Sequence, residues 1–229
     1  MKLIVALDFN NQSDALSLVN ELDPSQCALK VGSEMFTLFG QDFVRTLVSL
    51  KFKVFLDLKF HDIPNTVAHA CQAAAELGVW MINIHASGGL RMMEAARHSL
   101  ESFGPTRPLL IAVTVLTSMN AADLLLTGIH EPLEARVCTL ARLAHAAHLD
   151  GVVSAAQEVS AIKATCGAKF LTITPGIRLA SDSKDDQSRI TTPADAIKLG
   201  SDYIVVGRPI TQSSRPLQVV SEILLSMKH

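Results

Sequence analysis

The chain is 229 residues long, 48% hydrophobic and 18% charged, with a mean hydropathy of +0.30. That is too apolar and too weakly charged for a disordered polypeptide, and it is long enough for one α/β barrel. Twenty Lys and Arg against 22 Asp and Glu leave a formal net charge of −2, which argues against a nucleic-acid binder but allows a small anion held by a few placed cations.

Short apolar runs alternate with helical patterns in chain order. Residues 2–7 read as a strand followed by a helix over 13–22; 28–31 as a strand before a helix over 41–50; 54–58 before 64–77; and 80–84 before 90–103. Residues 109–113 precede 121–148, long enough for more than one helix. Then 152–154 precedes 156–164, 170–174 precedes 193–199, and 203–206 precedes 217–227. Strands that are apolar throughout imply burial on both faces of a parallel sheet. Eight βα units in one domain over residues 1–229 predict a (β/α)₈ barrel of the TIM type. The alternative is an open doubly wound sheet. Against it, Asp8-Phe9-Asn10-Asn11 follows the first strand, where a dinucleotide fold places G-x-G-x-x-G.

No apolar run approaches the roughly 20 residues needed to span a bilayer, and Asp8 interrupts the first one too early for a secretory signal. Cys27, Cys71, Cys138 and Cys166 form no C-x-x-C pair, which points to reduced thiols in the cytosol rather than a zinc site or disulfides. The polar loop 179–189 reads as a lid or a connection.

In such a barrel the C-terminal strand ends carry the chemistry. Here they carry Asp8, Lys30, Asp57 with Lys59, His85, Arg178 and Arg208. The Asp57-x-Lys59 spacing directs a carboxylate and an ammonium to the same side of a strand, with Asp62 three residues beyond. A structural ion pair is the competing reading, and D-x-K-x-x-D also suits a divalent cation with a sugar phosphate. Gly207-Arg208 suits a phosphate, and Arg178, Gln187 and Arg189 stand on or beside the preceding loop. Arg189 reads more simply as a solvated loop charge. His61, His85 and Ser87 read as packing or rim residues, since no G-x-S-x-G elbow surrounds the serine, and Met35, Met92 and Met93 as core.

The segment Phe55-Leu-Asp57-Leu-Lys59-Phe-His-Asp62-Ile-Pro-Asn-Thr66 resembles the signature of the orotidine 5′-phosphate decarboxylase family, bacterial type. So do Val5-Ala-Leu-Asp8, Leu29-Lys30-Val-Gly, Val113-Thr-Val-Leu-Thr117-Ser118, Thr174-Pro175-Gly-Ile-Arg178 and Val206-Gly207-Arg208-Pro209. The motifs span essentially the whole chain in matching order. The resemblance implies a homodimeric barrel without metal or organic cofactor. It implies conversion of orotidine 5′-monophosphate to uridine 5′-monophosphate and CO₂, the last step of de novo pyrimidine synthesis. By matching position, Lys59 is the proton donor, Asp57 lies beside the departing carboxylate, and Asp62 with Ile63 and Thr66 reaches into the partner subunit's site. Asp8 and Lys30 bind the ribose and join the charged array, and Thr117 and Ser118 lie at the pyrimidine. Pro175 is among the substrate contacts, Gln187 bridges base and phosphate, and Gly207, Arg208 and Arg178 hold the phosphate. Two other readings stay open. One is a Mg²⁺-dependent sugar-phosphate decarboxylase or aldolase using Asp57 and Asp62 as ligands. The other is a nucleotide-binding module without catalysis.

Overall fold

A computed structural model of the chain describes residues 2–179 and 191–227. The strands are β1 (Leu3–Ala6), β2 (Cys27–Gly32), β3 (Val54–Phe60), β4 (Met81–His85), β5 (Leu109–Val113), β6 (Gly151–Val153), β7 (Leu171–Thr174) and β8 (Tyr203–Val206). They pair in parallel and in chain order into a closed barrel, sealed where Leu3 of β1 lies beside Ile204 of β8. The open-sheet alternative is thereby excluded. The helices are α1 (Gln12–Glu21), α2 (Ser33–Ser49), α3 (Pro64–Glu76), α4 (Leu90–Ser99), α5 (Ala121–Leu126), α6 (Leu133–Ala146), α7 (Val159–Cys166), α8 (Pro193–Lys198), α9 (Arg208–Thr211) and α10 (Pro216–Ser226). No described helix is long and apolar enough to cross a membrane.

Strand positions match the sequence pattern to within one or two residues, and the differences have local causes. Helix α2 starts eight residues earlier than expected, at Ser33, because Gly40 at φ 66° lets two helical pieces join across a kink. The 90–103 pattern ends as an α-helix at Ser99 and continues as a 3₁₀ turn, Glu101–Thr106, that contains Gly104-Pro105. The 121–148 region splits into α5 and α6, as its length implied. The short α9, with Pro209 in its first turn, was not foreseen.

Two apolar layers build the barrel. One lies between sheet and helices and includes Val5, Leu29, Leu56, Ile82, Met35, Met92 and Met93, all essentially inaccessible. The other fills the interior with Ile4, Ala6, Ala28, Phe55, Met81, Ile111, Ile173 and Val205. Each fully buried aliphatic or aromatic side chain contributes roughly 1.5–3 kcal/mol, so this plug is a packed floor and not a pore. At the lower rim Arg107 forks onto both oxygens of Asp150 at 2.7 Å, and Lys163 meets Asp202 at 2.6 Å. All four cysteines are free. Burial pushes the Cys27 and Cys71 thiols up to about 12, as expected for inert core residues.

The plug sets where chemistry begins. Side chains two residues apart on a strand share a face. Two residues beyond Ala6, Ala28, Phe55, Met81, Ile173 and Val205 stand Asp8, Lys30, Asp57, Asn83, Pro175 and Gly207. A layer of polar and small residues therefore rests directly on the apolar floor.

At the far end of the barrel, a Cβ on Gly151 would lie 2.2 Å from the Leu171 carbonyl oxygen of the neighbouring strand. Gly151→Ala should destabilise the fold by at least about 1–3 kcal/mol, seen as a lower Tm. The folded fraction should keep its turnover number, and an unchanged Tm would contradict this packing.

Candidate active site

A cavity of about 560 Å³ opens at the C-terminal mouth of the barrel. Its floor includes Ala6, Phe55, Ile173 and Val205 of the plug. Its walls carry Asp8, Lys30, Asp57 and Lys59 on one side, Thr117 and Ser118 after β5, and Pro175, Arg178, Gly207 and Arg208 around β7 and β8. The structure thus brings together ten of the residues singled out from sequence. Asp62, Ile63 and Thr66 do not line the pocket of their own chain; they stand exposed after β3. Gln187 and Arg189 lie outside the described residues.

The charged side chains form a row of alternating sign. Lys30 Nζ donates to Asp8 Oδ1 at 3.0 Å and lies 3.4 Å from Asp57 Oδ2. Lys59 Nζ donates to Asp57 Oδ1 at 2.7 Å. Lys30 and Asp57 are buried, whereas the Lys59 side chain is 35% exposed at the open end of the row. Its ammonium has three donors and directs one to Asp57. Burial opposes the charge on Lys30, but Asp57 and Asp8 outweigh it and hold its pKa above the ordinary lysine value. Burial likewise opposes the Asp57 carboxylate, but Lys30, Lys59 and hydrogen bonds from Lys59 and Asn83 hold its pKa below the ordinary range.

Local backbone makes the row possible. The Asp57–Lys59 pairing was expected from simple strand alternation, yet Lys59 sits at φ +52° where the β3–β4 register shifts between Leu56 and Phe60. The two side chains meet through this bulge rather than through regular pleating. Asp8, at the other end of the row, is also left-handed, with φ +38°. Such conformations in non-glycine residues cost energy and collect at functional sites. Gly32 leaves the space for the ammonium, since a Cβ there would come within 3.3 Å of Lys30 Nζ and 3.4 Å of Asp8 Oδ1.

The sequence reading passed over Asn83, which is 1% exposed. Its Nδ2 donates to Asp57 Oδ1 at 2.6 Å, and its Oδ1 accepts from the Lys59 backbone N–H at 2.8 Å. The available signal was an amide inside the apolar run Met81-Ile82-Asn83-Ile84, in step with the plug residue Met81. His85 is half-buried with its ring 5.4 Å from that of His61, and burial, His61 and Lys59 lower its pKa.

Residues 1–223 match the family model described as Orotidine 5′-phosphate decarboxylase / HUMPS family. The chain is 64% identical over 223 residues to the orotidine 5′-phosphate decarboxylase of Legionella pneumophila (strain Paris), with 97% of each chain covered. It is 60% identical over 226 residues to that of Vibrio cholerae serotype O1 (strain ATCC 39541 / Classical Ogawa 395 / O395), covering 99% of this chain and 98% of that one. The crystal structure of orotidine 5′-phosphate decarboxylase from Lactobacillus acidophilus superposes with a TM-score of 0.88 at 37% identity, covering 100% of this chain and 99% of that one.

The lowered pKa of Asp57 makes a stability prediction. Its contribution is present above the unfolded value near 3.8 and is lost as pH falls through the lower folded value. Asp57→Asn should therefore lower the urea midpoint at about pH 7, and the gap to the parent chain should narrow below about pH 4. A gap that stays constant down to the acid limit of folding would contradict an ionised Asp57.

Proposed function

The chain belongs to the orotidine 5′-phosphate decarboxylase / HUMPS family, and on that premise we propose how its barrel mouth carries out the reaction. That reaction converts orotidine 5′-monophosphate to uridine 5′-monophosphate and CO₂, the last step of de novo pyrimidine nucleotide synthesis. The observation that carries the assignment of roles is the 2.7 Å contact between Lys59 Nζ and Asp57 Oδ1 above the apolar floor.

In this reading Asp8 and Lys30 hold the ribose, and Thr117 and Ser118 meet the pyrimidine. Pro175, Gly207, Arg208 and Arg178 take the phosphate side, together with Gln187. The substrate carboxylate lies beside Asp57. The bond from C6 to the carboxylate carbon breaks, CO₂ leaves, and the electron pair stays on C6 in the plane of the ring. The Lys59 ammonium stabilises that developing charge and then gives its proton to C6; the neutral amine regains a proton from solvent. The D-x-K-x-x-D pattern also suits a metal-dependent sugar-phosphate enzyme, but here both oxygens of Asp57 face Lys59, Asn83 and Lys30. That arrangement suits a fixed carboxylate better than a metal ligand. A proton donor set into the mouth likewise has no use in a silent binding module.

We also propose a homodimer in which Asp62, Ile63 and Thr66 complete the site of the partner subunit. In support, Ile63 is 66% exposed and Leu126, in the region after β5, is 87% exposed at the same end of the barrel. Exposed apolar groups at a rim favour a partner. A cytoplasmic location fits the four free cysteines.

Lys59→Ala should lower kcat at least about 10³-fold while uridine 5′-monophosphate still binds. The ultraviolet absorbance change on incubation with orotidine 5′-monophosphate measures this, and excess EDTA should leave the parent rate unchanged. Substantial turnover by the variant, or loss of rate with chelator restored by Mg²⁺, would refute the assignment. Mixing inactive Asp62→Ala and Lys59→Ala chains should restore activity through mixed dimers. No recovery after confirmed subunit exchange would refute the shared site.

A further inference from the structure

The Asn83 side chain bridges two features that the proposed chemistry needs at once. One is the carboxylate that holds the Lys59 ammonium; the other is the left-handed backbone of Lys59 itself. Both contacts are short, and the residue is sealed from water. The orientation of the amide is set by its partners. The Lys59 N–H can only donate, so it requires the Asn83 oxygen; the Asp57 carboxylate can only accept, so it requires the Asn83 nitrogen. An ionised carboxyl at this position loses the donor, an aliphatic side chain loses both contacts, and a hydroxyl is too short to reach both.

We propose that Asn83 is a positioning residue: one amide fixes the bulged Lys59 backbone and the Asp57 oxygen that its ammonium grips, and so aims the proton donor at the reacting carbon. This rests on the role given to Lys59 above. Asn83 is absent from the cavity wall, being covered by Asp57 and Lys59, so it acts through them. Without it, Lys59 has no partner on β4 for its N–H, and φ +52° loses the hydrogen bond that offsets its cost. Asp57 keeps its lysines but gains freedom to rotate. Misplacement of a reacting group by about 1 Å is enough to cost about 100-fold in rate.

The test separates aim from binding. In Asn83→Ala, kcat should fall about 100-fold, while KM and the Kd for uridine 5′-monophosphate should change less than about 3-fold, since Asn83 does not line the cavity. A merely structural role would instead move Tm, Kd and kcat together. Asn83→Asp preserves shape and supplies a pH readout that also serves if the alanine variant folds poorly. Two carboxyls at this distance cannot both ionise, so the pair shares a proton. The titratable groups around it are Asp57 and Lys59 on β3, Lys30 on β2, and His85 on β4 with His61 beside it. With the proton present, the introduced carboxyl donates to Asp57 as the amide does. The ratio of variant to parent kcat should therefore be highest at acid pH and fall up to tenfold per pH unit as that proton is lost.

A crystal structure of Asn83→Ala gives a readout independent of turnover. Lys59 should leave the left-handed region, with Nζ beyond hydrogen-bond reach of Asp57. If the parent enzyme fails to decarboxylate orotidine 5′-monophosphate, the proposed function falls, and this structure alone still decides the role of Asn83. The inference is overturned if Asn83→Ala keeps kcat within about 3-fold of the parent, if kcat and Kd are lost in parallel, if the Asn83→Asp ratio is flat with pH, or if Lys59 is unmoved.

Discussion

The Asp57 carboxylate is the constraint on which the rest of the mouth depends. It is buried, and an isolated buried carboxylate loses hydration worth several kcal/mol. A single lysine about 4 Å away returns only about 4 kcal/mol at an effective dielectric near 20, which roughly breaks even. The structure supplies more: Lys59 and Asn83 on one oxygen and Lys30 facing the other. These groups come from adjacent strands β2, β3 and β4, so the carboxylate is stable only where the sheet holds three neighbouring strands in register. The ion row and the barrel wall are therefore one construction.

The same registration explains why the site lies where it does. Interior positions repeat every second residue, and the lower ones are filled by the plug. The next layer up is the first that a nucleotide-sized molecule reaches, and it is also the last that the apolar floor still shields. Charges placed there are half-dry. They attract strongly, yet the Lys59 end of the row stays open. Positive φ at both ends, Asp8 and Lys59, marks where the chain departs from strand geometry to turn these side chains along the mouth. The plug contributes stability and the layer above it costs some, which is the usual division between a scaffold and its site.

Much of this was legible in the sequence because parallel barrel strands carry a strong signal. Burial on both faces turns each strand into an apolar run, and the charge that ends the run marks the mouth. Asp8, Lys30, Asp57 and Arg208 were found that way. The Lys59 bulge was not legible, since alternation predicts the same pairing by a different backbone. Asn83 was missed for a related reason. An amide inside an apolar run reads as a tolerated exception until the neighbouring strand shows that Asp57 and the Lys59 N–H both lie opposite it. The Gly40 kink needs a φ of 66° that glycine readily supplies, but a glycine in the sequence does not say whether the chain bends, turns or stops there, and the four-residue α9 is too short to leave a periodic pattern.

The proposed chemistry places a further demand on this arrangement. Enzymes lower barriers by about 8–23 kcal/mol, and one oriented ammonium accounts for only part of that range. Lys59 can act at full strength only if its surroundings do not reorganise as charge moves from the carboxylate to C6. A row whose partners are fixed before the substrate arrives meets that condition. The remainder falls to contacts away from the reacting carbon, and the mouth supplies them on β7 and β8, where Arg178 and Arg208 line the cavity. Binding energy collected there can hold the base against Lys59 and Asp57 even though Asp57 repels the substrate carboxylate. In the proposed reaction that repulsion would end as CO₂ departs, while the attraction to Lys59 would grow. Both changes favour the transition state over the bound substrate, and both require Asp57 to remain ionised between its two lysines.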